Sequence, residues 1–247
     1  MVDLKPCLRV LTWNIHACVG ADGRHDVARV GASVRALAPD LAAFQEVDSR
    51  RPAAGVGEVY DVLRAEVGDH GHDAWSISGK DGRYGQILAS RFPLEDKQVH
   101  DISVPGLEPR KVMSARLRLP GTSSRDAPSR DNSLRVIATH LGLRRPERRR
   151  QLAALKKIVC ADLSTPVLLL GDFNEWFWPR RTQRALYDLF EARSGQRSFP
   201  ARLPLFPLDR IWCRPGNLLV RAWAAGQARR ASDHLPVIGE LALATPR

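Results

Sequence analysis

Val167-Leu168-Leu169-Leu170-Gly171-Asp172-Phe173-Asn174 joins a run of apolar residues to a glycine, a carboxylate and an amide. The run is bounded by Pro166 on one side and Gly171 on the other. It reads as a buried strand that carries Asp172 and Asn174 at its end. The same arrangement recurs outward from it. Leu11-Thr12-Trp13-Asn14 ends a β-type run on an amide, and Phe44-Gln45-Glu46-Val47 ends one on a carboxylate. Ser232-Asp233-His234-Leu235-Pro236 places an acid and an imidazole just before the last apolar run. Core packing does not call for polar clusters at the ends of separate apolar strands, so these residues are the candidate functional set.

The rest of the chain supplies alternating strands and helices. Leu8 to Trp13 reads as a strand. Asp26 caps a helix with Val27, Val30, Val34 and Leu37 on one face and Pro39 as its stop. Leu41 to Phe44 is the next strand, and a helix follows around Tyr60 to Val67. The segment Gly68 to Arg83 reads as a loop around a short strand at Trp75 to Ile77. Gln86 to Ser90 is a strand, and Arg91-Phe92-Pro93 a turn. Val112 to Leu119 alternates with period two. The stretch Gly121 to Asn132 is poor in apolar residues and reads as the most mobile loop. Leu134 to Ala138 is a strand leading into Thr139-His140-Leu141. Pro146 to Val159 and Thr182 to Ala192 read as helices, and Ile211 to Cys213, Leu218 to Ala222 and Val237 to Leu243 as strands. The pattern predicts an α/β sandwich with polar strand ends. There is no internal repeat or linker, which leaves one expected domain over 1–247.

The 247 residues include 44% hydrophobic ones, enough for a sizeable core. No run approaches the length of a membrane span, and Met1 to Pro6 does not read as a secretory signal. Cys7, Cys18, Cys160 and Cys213 lack metal-ligand spacing and read as free thiols of a reducing compartment. The expected location is therefore the cytoplasm, with peripheral membrane attachment left open, and the expected state a monomer. The net charge of +11, much of it arginine, favours polyanionic partners: nucleic acid, anionic lipid or phosphorylated small molecules. Solvated arginines would give the same charge, so charge alone does not choose.

Seven segments resemble the endonuclease/exonuclease/phosphatase superfamily, the fold shared by DNase I, exonuclease III and inositol polyphosphate 5-phosphatases. They are Thr12-Trp13-Asn14, Gln45-Glu46, Tyr84 to Arg91, Thr139-His140-Leu141, Gly171 to Asn174, Leu208 to Ile211 and Ser232-Asp233-His234. They run in family order over almost the whole chain. The resemblance implies a four-layer α/β/β/α sandwich of two packed mixed sheets. It also implies a Mg²⁺-dependent phosphoesterase, with Mn²⁺ as the other ion.

A phosphodiester repels nucleophiles, so its hydrolysis needs a hard cation, a positioned water and donors for developing charge. The resemblance assigns Glu46 to the metal, Asn14 beside it, and Asp233 as an aid to metal binding. Asp172 orients and deprotonates the water, with Asn174 holding the nucleophile or a phosphate oxygen. His234 pairs with Asp209, as base or as phosphate binder, and His140 donates to the phosphate. Arg110 either reaches the substrate or is a surface arginine. Trp176 and Trp178 stack on a base, dip into lipid or pack under the loop. The chain departs from the family at His16, where many members have an acid, and at Gln86, where they often have asparagine. His25, His70 and His72 match nothing in the pattern. The first substrate expectation is DNA or RNA. The alternative is a phospholipid headgroup or phosphoinositide-type ester at an anionic membrane surface, and the third reading is a binding module without catalysis.

Overall fold

The computed structural model describes residues 7–51, 58–119, 133–176 and 183–242. Two six-stranded sheets pack face to face. The first has strands in the order β11-β12-β1-β2-β4-β3, the second β5-β6-β7-β8-β10-β9. In the first sheet β1 is Cys7–Asn14, β2 Leu41–Asp48, β3 His70–Gly79, β4 Gly82–Ser90, β11 Leu219–Ala224 and β12 Val237–Ala242. In the second, β5 is Leu94–Asp101, β6 Lys111–Arg118, β7 Ser133–His140, β8 Val167–Asp172, β9 Ala192–Arg193 and β10 Asp209–Arg214.

The central strands are apolar on both faces because both are covered, as expected of sheets inside a layered sandwich. Leu8, Val10, Ala43 and Leu88 point inward to meet Met113, Ala115, Val136, Leu168, Leu170 and Ile211 from the second sheet. The alternate residues Leu11, Trp13 and Phe44 point outward under α1 (Val27–Leu37) and α2 (Val59–Val67). On the far side Ile137, Leu169 and Trp212 lie under α3 (Arg145–Cys160) and α4 (Arg184–Tyr187). The layers are helix, sheet, sheet, helix.

Most expected elements are present. The Asp26 side chain accepts from the Arg29 N–H at the start of α1, and Ala38 ends that helix in the left-handed region ahead of Pro39. Strand β6 alternates as read, with Met113, Ala115 and Leu117 in the core between the sheets and Arg116 and Arg118 directed to Asp96 and Glu95.

Two expectations need correction. Gly68 to Arg83 is not a loop around a short strand: His70–Gly79 forms a continuous strand paired along β4. Its backbone partners are supplied by β4, so it needs little apolar surface of its own. The helix expected over Thr182 to Ala192 is the single turn α4 among the described residues. Phe190 turns in to pack on Trp212, and Ala192–Arg193 pairs with β10 instead. The mobile loop expected over Gly121 to Asn132, the glycines 55 and 57, residue 182, Leu243 and Trp178 all lie outside the described residues.

Candidate active site

The parallel pairs β1/β2 and β7/β8 end together, so their C-terminal residues gather at one edge of the sandwich. The antiparallel neighbours β10 and β12 begin at that same edge, which brings Asp209 and the segment before Val237 to it. Register then aligns three side chains. His140 pairs with Asp172 across β7/β8, and Asp172 with Asp209 across β8/β10, so the three stand in one row on one face. The first sheet contributes Asn14, Glu46 and His234 opposite them.

Local backbone features aim these groups. At Gly171, φ is +151° and an added Cβ would lie 2.0 Å from the Thr139 carbonyl oxygen, so only glycine lets β8 approach β7 this closely before Asp172. Strand β2 shifts register between Phe44 and Val47, and Glu46 within the bulge takes φ +55°. Asn174 takes φ +49° just past β8. Left-handed non-glycine residues are strained, and both of these carry candidate functional side chains.

The polar contacts form one connected set. The Asn14 amide donates to Glu46 Oε1 at 2.8 Å and to Asp172 Oδ2 at 3.1 Å, while its oxygen accepts from the His16 N–H at 3.0 Å. Asn14 therefore holds two carboxylates through its amide nitrogen. The Asn174 N–H donates to Asp172 Oδ1 at 2.9 Å, and its amide donates to the Leu141 carbonyl at 2.8 Å. His234 Nδ1 lies 2.8 Å from Asp209 Oδ2, and its Nε2 faces Asp172 Oδ2 at 3.9 Å. Trp13 Nε1 donates to the His234 carbonyl at 2.9 Å and Ser232 Oγ to the Asn14 carbonyl at 2.8 Å, tying the His234 loop to β1.

The two imidazoles are driven in opposite directions. Burial lowers the pKa of His140 well below the ordinary value, and the neighbouring Arg110 and His234 lower it further. Arg110 Nη1 lies 3.3 Å from His140 Nδ1. Neither a guanidinium nor an amide NH2 has a lone pair to accept with, so donors face both ring nitrogens: Arg110 at Nδ1 and the Asn174 amide at 3.2 Å from Nε2. That nitrogen is 3.7 Å from Asp172 Oδ2 and 3.8 Å from Glu46 Oε1. For His234, burial would also lower the pKa, but the Asp209 carboxylate outweighs it and lifts the ring to about 10. Asp172 is pushed up to about 6, first by burial and then by Asp209.

The donor set fits a hard divalent cation. Glu46 keeps 25% of its side chain open to solvent, and oxygen ligands of this kind suit Mg²⁺ with several waters retained. Asp172, Asp209 and His234 also offer ligand atoms within 4.8 Å of one another. The hydrogen bond between His234 Nδ1 and Asp209, however, uses one edge of that trio. Asp233 sits at the mouth, 3.7 Å from His16 Nδ1, away from the row. Arg110 is 5% exposed and ion-paired with Glu108 at 2.9 Å, so it is not a surface arginine. Trp176 packs against Phe199 and Phe206 beside the site, with ring centroids 4.9 and 5.5 Å away. Gln86 donates to the Lys111 carbonyl across the two sheets at 3.0 Å. His72 Nε2 donates to the Gln98 carbonyl, on an edge remote from the row.

Sequence reasoning did not single out Tyr84, Glu108 or Ser232. Burial raises the Tyr84 pKa, and Glu46 and Glu108 beside it raise it further. Its position two residues before Gln86, inside a segment already matched, was the available signal.

The model of the endonuclease/exonuclease/phosphatase family matches residues 11–234. An Escherichia coli K12 protein, YbhP, is 32% identical over 95% of this chain and 96% of its own length, and is itself uncharacterized. An endonuclease/exonuclease/phosphatase from Beutenbergia cavernae superposes with a TM-score of 0.73 at 24% identity, over 96% of this chain and 72% of that one. A mannosyl-6-phosphatase from Bacteroides thetaiotaomicron superposes with a TM-score of 0.72 at 15% identity, over 95% and 99%. The chain belongs to the endonuclease/exonuclease/phosphatase family and is a hydrolase of phosphoric esters.

Proposed function

We propose that this chain is a Mg²⁺-dependent phosphodiesterase that cleaves by direct attack of water, with nucleic acid the first substrate to test. The observation that carries this reading is the row His140, Asp172 and Asp209 facing His234, in which a neutral and a cationic imidazole flank one buried carboxylate.

Glu46 would hold the cation, which when bound neutralises phosphate charge and acidifies water. Asp172, held by the Asn174 N–H on Oδ1 and the Asn14 amide on Oδ2, positions the attacking water and takes its proton. Asn14 keeps Asp172 and Glu46 in place, and Asn174 braces the turn beyond β8. His234, protonated through Asp209, donates from Nε2 to a phosphate oxygen, and His140 stands on the other side of Asp172. Arg110 Nη1, 3.3 Å from His140 Nδ1, holds that ring in place. Asp233 and Trp176 border the entrance.

The net charge of +11 supports a polyanionic substrate. An ester in an anionic phospholipid headgroup suits that charge too, and the apolar side chains around the mouth favour it. Purified protein in Mg²⁺ is expected to hydrolyse bis(p-nitrophenyl) phosphate and to nick supercoiled plasmid. EDTA and the His234→Ala variant should both abolish turnover. Hydrolysis by His234→Ala at the wild-type rate would overturn the assignment of that residue.

A further inference from the structure

Eight large apolar side chains are exposed among the described residues, and five of them lie on loops and a hairpin at the active-site end of the sheets. Leu143, 63% exposed, stands two residues beyond Leu141, whose carbonyl holds Asn174. Leu203 and Leu205, at 66% and 49%, occupy the 199–206 turn, whose Phe199 ring is 4.8 Å from the His234 ring. Trp75 and Ile77 lie on the hairpin of β3 and β4, whose Arg83 carbonyl accepts from the Ser49 N–H just past Glu46. Single exposed leucines are ordinary, but their gathering around one opening is not. Exposed arginines stand among them: Arg144 and Arg145 follow Leu143, and Arg202 precedes Leu203.

We propose that this rim docks on the surface of an anionic phospholipid bilayer and presents headgroup phosphodiesters to the His140–Asp172–His234 site. The proposal rests on the phosphodiesterase reading and narrows its substrate class. Arginine serves nucleic acid and anionic lipid equally well, so the leucines decide. A nucleic acid offers phosphates and base faces. Bases stack on aromatic rings, and an aliphatic side chain gains little there. Most aromatic rings near the mouth are already covered on at least one face. Trp176 is packed on Phe199 and Phe206, Arg83 lies over Trp75 at 3.9 Å, and Arg50 lies over Tyr84 at 5.2 Å. Leucines that enter the acyl boundary while arginines stay at phosphate level are the composition of an interfacial surface. No helix among the described residues is long and apolar enough to cross a membrane, so the contact proposed is peripheral.

The test is co-sedimentation of the full chain with vesicles of phosphatidylglycerol and phosphatidylcholine, with pure phosphatidylcholine vesicles and duplex DNA as parallel arms. The wild type should sediment with the anionic vesicles. The combined Leu143→Ser, Leu203→Ser and Leu205→Ser variant should lose that partition by on the order of tenfold or more. Its hydrolysis of bis(p-nitrophenyl) phosphate should be unchanged, which also shows that it has folded. Leu163→Ser, at the other end of the second sheet, should bind vesicles like the wild type. Equal sedimentation of the triple variant and the wild type overturns the proposal. So does a wild type that binds DNA and ignores anionic vesicles. Loss of bis(p-nitrophenyl) phosphate hydrolysis in the wild type itself would instead sink the phosphodiesterase reading, whatever the vesicles show.

Discussion

His140 and His234 are both buried, yet only His234 has a carboxylate on its inner nitrogen. Burial and Arg110 keep His140 neutral while Asp209 makes His234 a cation, and this contrast predicts a pH profile. Activity should rise as Asp172 ionises near about 6 and fall as His234 loses its proton near about 10. Asp209→Asn removes the charge that lifts His234, so the alkaline limb should move down in pH and kcat should drop on the order of 10²-fold. An alkaline limb that stays put in kcat/KM profiles would reject the pairing. The sign for stability follows from the same shift. A ring whose pKa is raised on folding contributes stability below its ordinary value and loses it as pH rises towards about 10. Thermal melts of the wild type should therefore decline between neutral pH and that value, and those of Asp209→Asn should decline less.

At the scale of elements, the exit of β8 is held by close backbone approach and by a buried ion pair. Gly171→Ala would set a methyl against the Thr139 carbonyl and should cost about 2–4 kcal/mol in urea unfolding, with a fall in kcat because Asp172 is the next residue. Arg148 pairs with Glu175 at 3.5 Å and donates to the carbonyls of Gly142 at 3.2 Å and Leu143 at 2.5 Å, so it joins the loops that follow β7 and β8. Arg148→Met leaves Glu175 buried without its cation and should cost roughly 3–5 kcal/mol, part of which returns on adding Glu175→Gln. A denaturation cycle in which the two changes add without coupling would show that the pair does not join those loops.

For the whole molecule, the balance of charge matters. Acids converge on one opening of a chain that carries +11 overall. A bound cation relieves their repulsion, and ligand binding to the folded state alone stabilises by about 2.7 kcal/mol at a hundred times Kd. Melting in Mg²⁺ should therefore exceed melting in EDTA by about 5–10 °C for a domain of this size. Glu46→Gln should abolish that difference while leaving the metal-free protein at least as stable. A Mg²⁺ shift that survives the substitution would place the ion elsewhere.

The central strands and the longer helices were legible in the sequence, because burial on one or both faces writes an apolar pattern into each. So were the strand-end residues Asn14, Glu46, His140, Asp172 and His234, whose polarity has no use inside a core. Strands β5 and β9, and β3 beyond Trp75 to Ile77, were not legible, and all three are sheet edges. An edge strand takes its hydrogen bonds from a neighbour and buries little: β3 contributes Ala74 to the core between the sheets and β5 contributes Leu94. Sequence alone thus determined the family, the layered architecture and the chemical types at the site. Only the tertiary structure decided the row of His140, Asp172 and Asp209, the neutral state of one histidine beside the cationic state of the other, and the burial of Arg110. Those depend on register, bulge and local dielectric, which arise only when strands far apart in the chain are brought side by side.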